Sequence, residues 1–576
     1  MKLKRTPLLL TAALLQTATP NPIQPSPSRA EENAFQIFNS IHSAMRQWGS
    51  SLNHNGMAFI PATIPRGTLF YHGSPFNSTP AAPEWLAFEM EHAENFARAR
   101  PYRVLPPRPP PSDKPEHQKP LGSPRPPDNA TIRGYLHTFR TTRELSLLYV
   151  DGTSAGKTRM GTMDSQDFVL RLLDPADGPN PWDDYLRARE LCGILTQWGY
   201  DGVIRMEIGF EVIFCKDFAG GGLETISIVR SPGLAGKEWP DIKEIKGLTW
   251  QWARGAGERY DRIGGGRAVL DFSRMVSALW YPVNSTNPDL GKGKEVFPRL
   301  TEASHEGRVA IRSRVEEVAG QGGGVKVDWQ SVVDMVVTRY EKRLAYMVSK
   351  KIGPVGFAKE VVAATLSYVE YPPAPGDVTF GMSEEKEGQA RARCAAQYLL
   401  PVEGQRGAWT QEDEMVYLVV SRVKKAICDA LFDARMILEQ AQPGLAWVLA
   451  AGEGRIPESA RMVAAFQQGK AIVAELASEL RWTTWKKCRG CDPSEICFVA
   501  MWPFGRRLDH DSPSCVSEQV FEGEEFWKDH YWDDFFLTGA KLVAPVNSPG
   551  ACGRSLGKTS SQLVCTPPTP PISLEQ

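Results

Sequence analysis

"RGTLFYHGSPF", Arg66 to Phe76, decides how the N-terminal part of this chain is read. Thr68 to Tyr71 form a short apolar strand that ends on His72, Gly73 and Ser74. A neutral imidazole offers one donor and one acceptor nitrogen. The glycine after it removes the side chain that keeps a ligand away from the backbone. Such a tip either closes a turn or holds a small molecule. Further along, "PEWLAFEMEHAENFARAR" reads as a strand over Trp85 to Phe88 and a helix over Glu91 to Arg100. "GYLHTFRTT" and "ELSLLYVDG" are two successive strands, and Trp182 to Trp198 are helical. "GVIRM" and "FEVIFC" then form a strand pair that turns at Glu207, Ile208 and Gly209. Strands and helices interleave up to about Arg230, which predicts an α+β unit.

Together these stretches resemble the ADP-ribosyltransferase family, in its branch with a His-Gly-Thr/Ser first motif. "YHGS" matches that motif, "EMEHAENFA" echoes the helix after the family's second strand, and "GYDGV" with "FEVIF" echoes its last motif. The resemblance covers about residues 60–230. It implies an ADP-ribosyltransferase-like fold and NAD as a substrate. The reaction would be transfer of ADP-ribose to a macromolecular acceptor, or NAD hydrolysis. His72, Gly73 and Ser74 would bind the NAD, with His72 on the ribose and Gly73 giving the close backbone contact. Glu211 would be the catalytic carboxylate, with Glu207 as its substitute, because an acid beside the anomeric carbon stabilises an oxocarbenium-like centre. This chemistry requires His72 and Glu211 to face one cleft. "WLAF" lacks the Tyr or Ser/Thr of the family's second motif, which favours a rival: a secreted, non-catalytic binding or surface protein that keeps the fold. The plainest structural expectation is that His72 caps a turn and Glu211 lies on a half-solvated strand; Ile213 and Cys215 on the same strand face would instead leave Glu211 partly buried with a raised pKa.

"LLYVDGTSAGKT", residues 147–158, suggests two other chemistries. As a phosphate-binding loop it encloses three residues between Gly152 and Gly156 where four are needed. As a G-x-S-x-G nucleophile elbow it makes Ser154 the nucleophile of a secreted serine esterase. The elbow needs a helix after the serine, and "KTRMGTMDSQD" has the residues of a turn instead. A tight loop is the expected structure, with Asp164, Ser165, Gln166 and Asp167 lining the cleft.

The rest of the 576 residues set the context. "MKLKRTPLLLTAALLQTATPNP" has the charged start, apolar stretch and small-residue end of an export signal, and is too short to span a bilayer. The expected division is a signal peptide 1–19, a spacer 20–30 and an α+β domain 31–232 with a Pro-rich insertion at 101–127. A mainly α-helical domain 233–480 and a small disulfide-rich region 481–576 follow. The helical domain rests on apolar residues at helical spacing in "VDWQSVVDMVVTRYEKRLAYMV", "DEMVYLVVSRVKKAICDALFDARMIL" and "ESARMVAAFQQGKAIVAELASEL". Six of the ten cysteines fall after residue 480, a density that suits an oxidising compartment. Cys488-x-x-Cys491 is not completed by a second such pair, so disulfides are expected and no metal. Asn77, Asn129 and Asn284 begin N-x-Thr sequons, consistent with a secreted glycoprotein. Acidic and basic residues nearly cancel, and no basic block marks a nucleic-acid partner.

Overall fold

Gly209 makes the tightest turn of the sheet, with φ +83° between strands β6 (Gly202–Glu207) and β7 (Gly209–Phe214). The positive φ is why glycine stands there. The computed structural model describes residues 23–97, 134–157, 161–178, 180, 183–231, 250–256, 266–288, 297–321, 327–370, 384–445, 449, 459–502 and 504–522. The leader, the Pro-rich insertion, Asn129, Cys552 and Cys565 lie outside the described residues.

The fold is α+β. Its large sheet also contains β1 (Ala58–Ile64), β2 (Leu69–Ser74), β3 (Glu84–Ala87), β4 (Tyr135–Thr141), β5 (Leu145–Val150), β8 (Leu223–Arg230), β9 (Val269–Leu270) and β10 (Val276–Ser277). The order is β10-β1-β5-β6-β7-β3-β2-β4-β8, with β9 also on β1. All pairings are antiparallel except β5 with β6. A parallel pair needs a long crossover, and α5 (Asp184–Gln197) lies in the connection between β5 and β6. β4 and β5 follow one another in sequence but do not pair. β4 lies between β2 and β8, and β5 between β1 and β6.

The sheet extends beyond the expected boundary at residue 232, because β9 and β10 add to β1. The expected helix near residues 31–48 is instead three: α1 (Pro27–Glu32), α2 (Ala34–Ser43) and α3 (Gln47–Asn53). Asn33 interrupts the first pair, and the extended Ala44 with Met45 at φ +55° interrupts the second. Next come the short α4 (Met90–Glu94) and helical residues 250–256, α6.

The helical part contains α7 (His305–Gly320), α8 (Trp329–Val348), α9 (Pro354–Thr365), α10 (Glu384–Ala396), α11 (Leu400–Glu403), α12 (Gln411–Ala441) and α13 (Ala460–Leu480). Thr410 and Asp413 start the longest of these with a capping box. The apolar stripes of α8, α12 and α13 share one continuous core with the sheet and with α2. Asn39 donates to the Leu480 carbonyl, and Gln330 to the carbonyls of Ile41 and Ala44. A two-stranded hairpin, β11 (Glu495–Phe498) with β12 (Ser514–Ser517), carries Cys488–Cys497 and Cys491–Cys515 disulfides. Two further disulfides, Cys192–Cys215 and Cys394–Cys428, tie α5 to the end of β7 and α10 to α12. Among the described residues no helix is long and apolar enough to cross a membrane.

Candidate functional site

Strand register decides which side chains meet. Arg205 stands opposite Glu211, Glu211 opposite Ala87, and Ala87 opposite Tyr71. Directly paired residues project to the same face, and successive residues alternate. Tyr71, Ala87, Glu211 and Arg205 therefore share one face, and His72 projects to the other. Ring contacts agree. On the His72 face His137 lies 5.8 Å away and stacks on Phe139, which meets Phe218 edge-on. On the Glu211 face Trp85 packs against Tyr185 at 5.0 Å. The expectation that His72 and Glu211 face one cleft is therefore not met, because residue 71, not 72, is in register with Glu211.

The tip residues have local duties. His72 Nδ1 donates to the Trp85 carbonyl at 2.8 Å, and burial, with the neighbouring His137, drives its pKa down to about 4. The ring is neutral at physiological pH. The Ser74 hydroxyl accepts from the Phe76 N–H at the strand end. At Gly73 a Cβ would overlap the Ala93 carbonyl oxygen and stand 2.5 Å from the Ala97 nitrogen. Its missing side chain makes room for the chain's own α4, which occupies the Glu211 face.

That face holds a buried charge network (Glu211 is 6% exposed, Glu207 7% and His92 2%). Arg205 Nε donates to Glu211 at 2.5 Å, and His92 Nε2 meets Glu207 at 3.0 Å. Asp184 accepts from Lys157 and Arg187, both at 2.7 Å, and from Arg205 at 3.3 Å. Arg187 and Arg171 hold Asp167, and Arg171 also reaches Glu190. Burial raises the Glu211 pKa despite the adjacent guanidinium of Arg205. Burial opposes ionisation of Glu207 too, but its bond to His92 and the nearby Lys157 and Arg205 win, and its pKa falls. The charges of Arg205, Lys157 and Arg187 likewise outweigh burial at Asp184 and lower its pKa.

The network is roofed by aromatic rings. Trp252 of α6 stacks on His92 at 4.9 Å and donates to the Ile208 carbonyl at 2.7 Å. Phe504 meets Trp252 edge-on, and the Trp502 ring covers the Lys157 ammonium at 4.8 Å. Gln47 clamps the β6–β7 turn, donating to the Glu207 carbonyl and accepting from the Gly209 N–H. The donor atoms of His92, Glu207 and Glu211 lie within 4.8 Å of one another, a spacing a metal ion could bridge. Arg205 and Lys157 already supply positive charge there. Lys157, Arg171, Arg187 and Arg205 set four permanent cations among the acids of this network. The Cys488, Cys491 and Cys515 cluster is spent on disulfides.

His92, Arg205, Lys157 and Asp184 are given no role in the sequence reading. A signal was present: Arg205, Glu207 and Glu211 share one alternating face of an otherwise apolar strand pair. Ser154 is wholly buried, donates to the Val150 carbonyl and accepts from the Met206 N–H, so it stitches the loop to β6. Residues Asp164 to Asp167 open a buried π-helical turn: Asp164 accepts from the Leu300 N–H, Gln166 donates to the Ser154 carbonyl, and Asp167 belongs to the ion network. None lines an open cleft.

The chain is similar to two yeast proteins. The uncharacterized protein YOR389W of Saccharomyces cerevisiae is 26% identical over 558 residues, covering 82% of this chain and 82% of the relative. The uncharacterized protein YPL277C of the same organism is 34% identical over 226 residues, covering 34% of this chain and 43% of the relative. The family described as the YPL277C N-terminal domain matches residues 29–126 and 108–237, the part that carries β1 to β8. No solved structure matches the chain.

Proposed function

We propose that this chain is an exported, non-catalytic binding or surface protein whose N-terminal part keeps an ADP-ribosyltransferase-like fold. The fold reading is supported by the strands that carry the three motifs. β2 with "LFYHGS" and β3 with "EWLA" are adjacent in the sheet to β7 with "GFEVIF", a strand far along the chain from both. Export is supported by the leader sequence and by four disulfides, which persist in oxidising compartments.

One observation carries the loss of chemistry: Glu211 is bonded to Arg205 on the sheet face opposite His72. An NAD molecule held by His72 could reach Glu211 only through the sheet. The test is isothermal calorimetry and turnover with NAD on purified protein. Neither heat nor nicotinamide release is expected, and Glu211→Gln and His72→Ala should behave like the parent. Nicotinamide release that Glu211→Gln abolishes in a folded protein overturns the proposal.

A second reading keeps NAD cleavage, with ADP-ribose passing to a macromolecular acceptor. It is favoured by the adjacent Glu207 and Glu211, whose pKa values are pushed in opposite directions as an acid and base pair requires. It requires α6 to leave His92. Turnover lost in both Glu207→Gln and Glu211→Gln but kept in His72→Ala would establish it.

A further inference from the structure

We infer that Asn77 and Asn284 are N-glycosylation sites, each carrying an oligosaccharide through its side-chain nitrogen. The inference rests on the export reading and goes beyond it. Both asparagines start an Asn-Ser-Thr triplet, and Thr79 and Thr286 occupy the third position. A triplet is modified only where the acceptor can be reached, and the fold supplies that condition at both places. Asn77, Ser78 and Thr79 are exposed in succession in the loop after β2. Asn284 and Thr286 are exposed beyond β10, although Tyr281, Val283 and Asn287 around them are buried. The Asn284 side-chain oxygen accepts the Thr286 N–H at 3.0 Å, so the amide nitrogen points away from that bond. A sugar at either position displaces no packed side chain.

The chemistry needs one co-reactant, an oligosaccharide joined to a lipid pyrophosphate. The asparagine amide nitrogen forms a bond to the anomeric carbon, the bond from that carbon to the pyrophosphate oxygen breaks, and one amide proton is released. The lipid pyrophosphate is the leaving group.

The two sites differ in consequence. The Phe76 carbonyl, next to Asn77, accepts from His137 Nε2 at 2.9 Å, and the His137 ring contacts that of His72. A glycan on Asn77 therefore stands beside the His72 face of the sheet and limits which macromolecules reach it. Asn284 lies after β10, on the opposite edge strand from β8. Among the described residues no other Asn-x-Ser/Thr triplet occurs.

The test is expression of the full chain with its own leader in a secreting yeast. Amidase digestion in heavy-oxygen water then converts each glycosylated asparagine to labelled aspartate, read by peptide mass spectrometry. Label at Asn77 and Asn284 is expected, with one gel-mobility step lost in each of Asn77→Gln and Asn284→Gln. Secreted protein with unlabelled Asn77 and Asn284 overturns the inference, and label at one position alone overturns it for the other. Unlabelled protein kept in the cytosol overturns it for the natural chain. In that case a foreign leader on the full chain separates the causes: label then means that export failed, whereas no label means that the sites themselves failed. Because the mass reading uses the parent protein, a misfolded variant does not obscure it.

Discussion

Replacing Lys424 with methionine should stabilise this protein, and the gain should shrink as the pH rises. Lys424 lies on α12 with its amine fully buried. Its partners are the Tyr340 hydroxyl at 3.0 Å, the Cys428 sulfur at 3.8 Å and the rings of Tyr340 and Tyr398, at 4.5 and 5.2 Å. Burial, reinforced by the charge of Arg339, lowers its pKa from the ordinary 10.5 to about 7. At about 1.4 kcal/mol per pH unit, that drop corresponds to a cost on the order of 5 kcal/mol for the charged amine. The ring contacts already act within the folded pKa, so this is an upper bound for what methionine can recover.

The sign follows from proton counting. Between pH 7 and 10.5 the unfolded chain binds the Lys424 proton and the folded chain does not, so parental stability rises with pH across that window. Below pH 7 both states are protonated and the full cost applies. Methionine fills the same unbranched volume without a charge. Urea unfolding of both proteins at pH 6, 7, 8 and 9 is the assay. Lys424→Met should lead by a few kcal/mol at pH 6, with a lead that falls by about 1 kcal/mol per pH unit above pH 7. Parallel stability curves, or a variant weaker than the parent at pH 6, would refute the reasoning.

Removing the Asp184 carboxylate should cost about 3–5 kcal/mol, because Arg187, Arg205 and Lys157 lose their shared counter-charge. An unchanged denaturation midpoint for Asp184→Asn would contradict this. Asp184 has a lowered folded pKa, so its contribution is present above its ordinary 3.8 and disappears as the pH falls. Acid titration of Asp184→Asn should accordingly be flatter than that of the parent below pH 4. Gly73→Ala should destabilise by about 1–3 kcal/mol, through collision with the backbone of Ala93 and Ala97. Thermal melting reads it, and a neutral result would mean that α4 does not rest on β2. Cys394 and Cys428 close a loop with a sequence separation of 34. The double variant Cys394→Ala, Cys428→Ala should lose about 3–4 kcal/mol by the chain-entropy argument, and equal unfolding midpoints would rule that out.

Much of the architecture was legible in sequence because it depends on local periodicity. Apolar residues at helical spacing marked α8, α12 and α13, and short runs of β-branched and aromatic residues marked β4 to β7. Even the turn at Glu207 to Gly209 followed from residue type. Helix ends were less legible: three short helices replaced one because Asn33 and the Ala44–Met45 bend obey packing against α8 and α12. Of the candidate site, Glu211 shares a strand face with the apolar Ile213, and it is buried with its pKa raised. His92 carries no local signal, because its partner Glu207 is 115 residues away.

What the sequence determined by itself is which residues repeat on one side of each strand or helix, since that depends only on chain geometry within the element. Whether His72 and Glu211 share a side was decided by tertiary structure alone. Pairing between distant strands sets the register, and a slip of one residue exchanges the two faces. The same long-range pairing brought together acids and bases from β6, β7, α4 and α5, and α6 then covered them. No local pattern encodes that enclosure, because a buried charge must be paired and His92 and Lys157 find their partners on other elements of the chain.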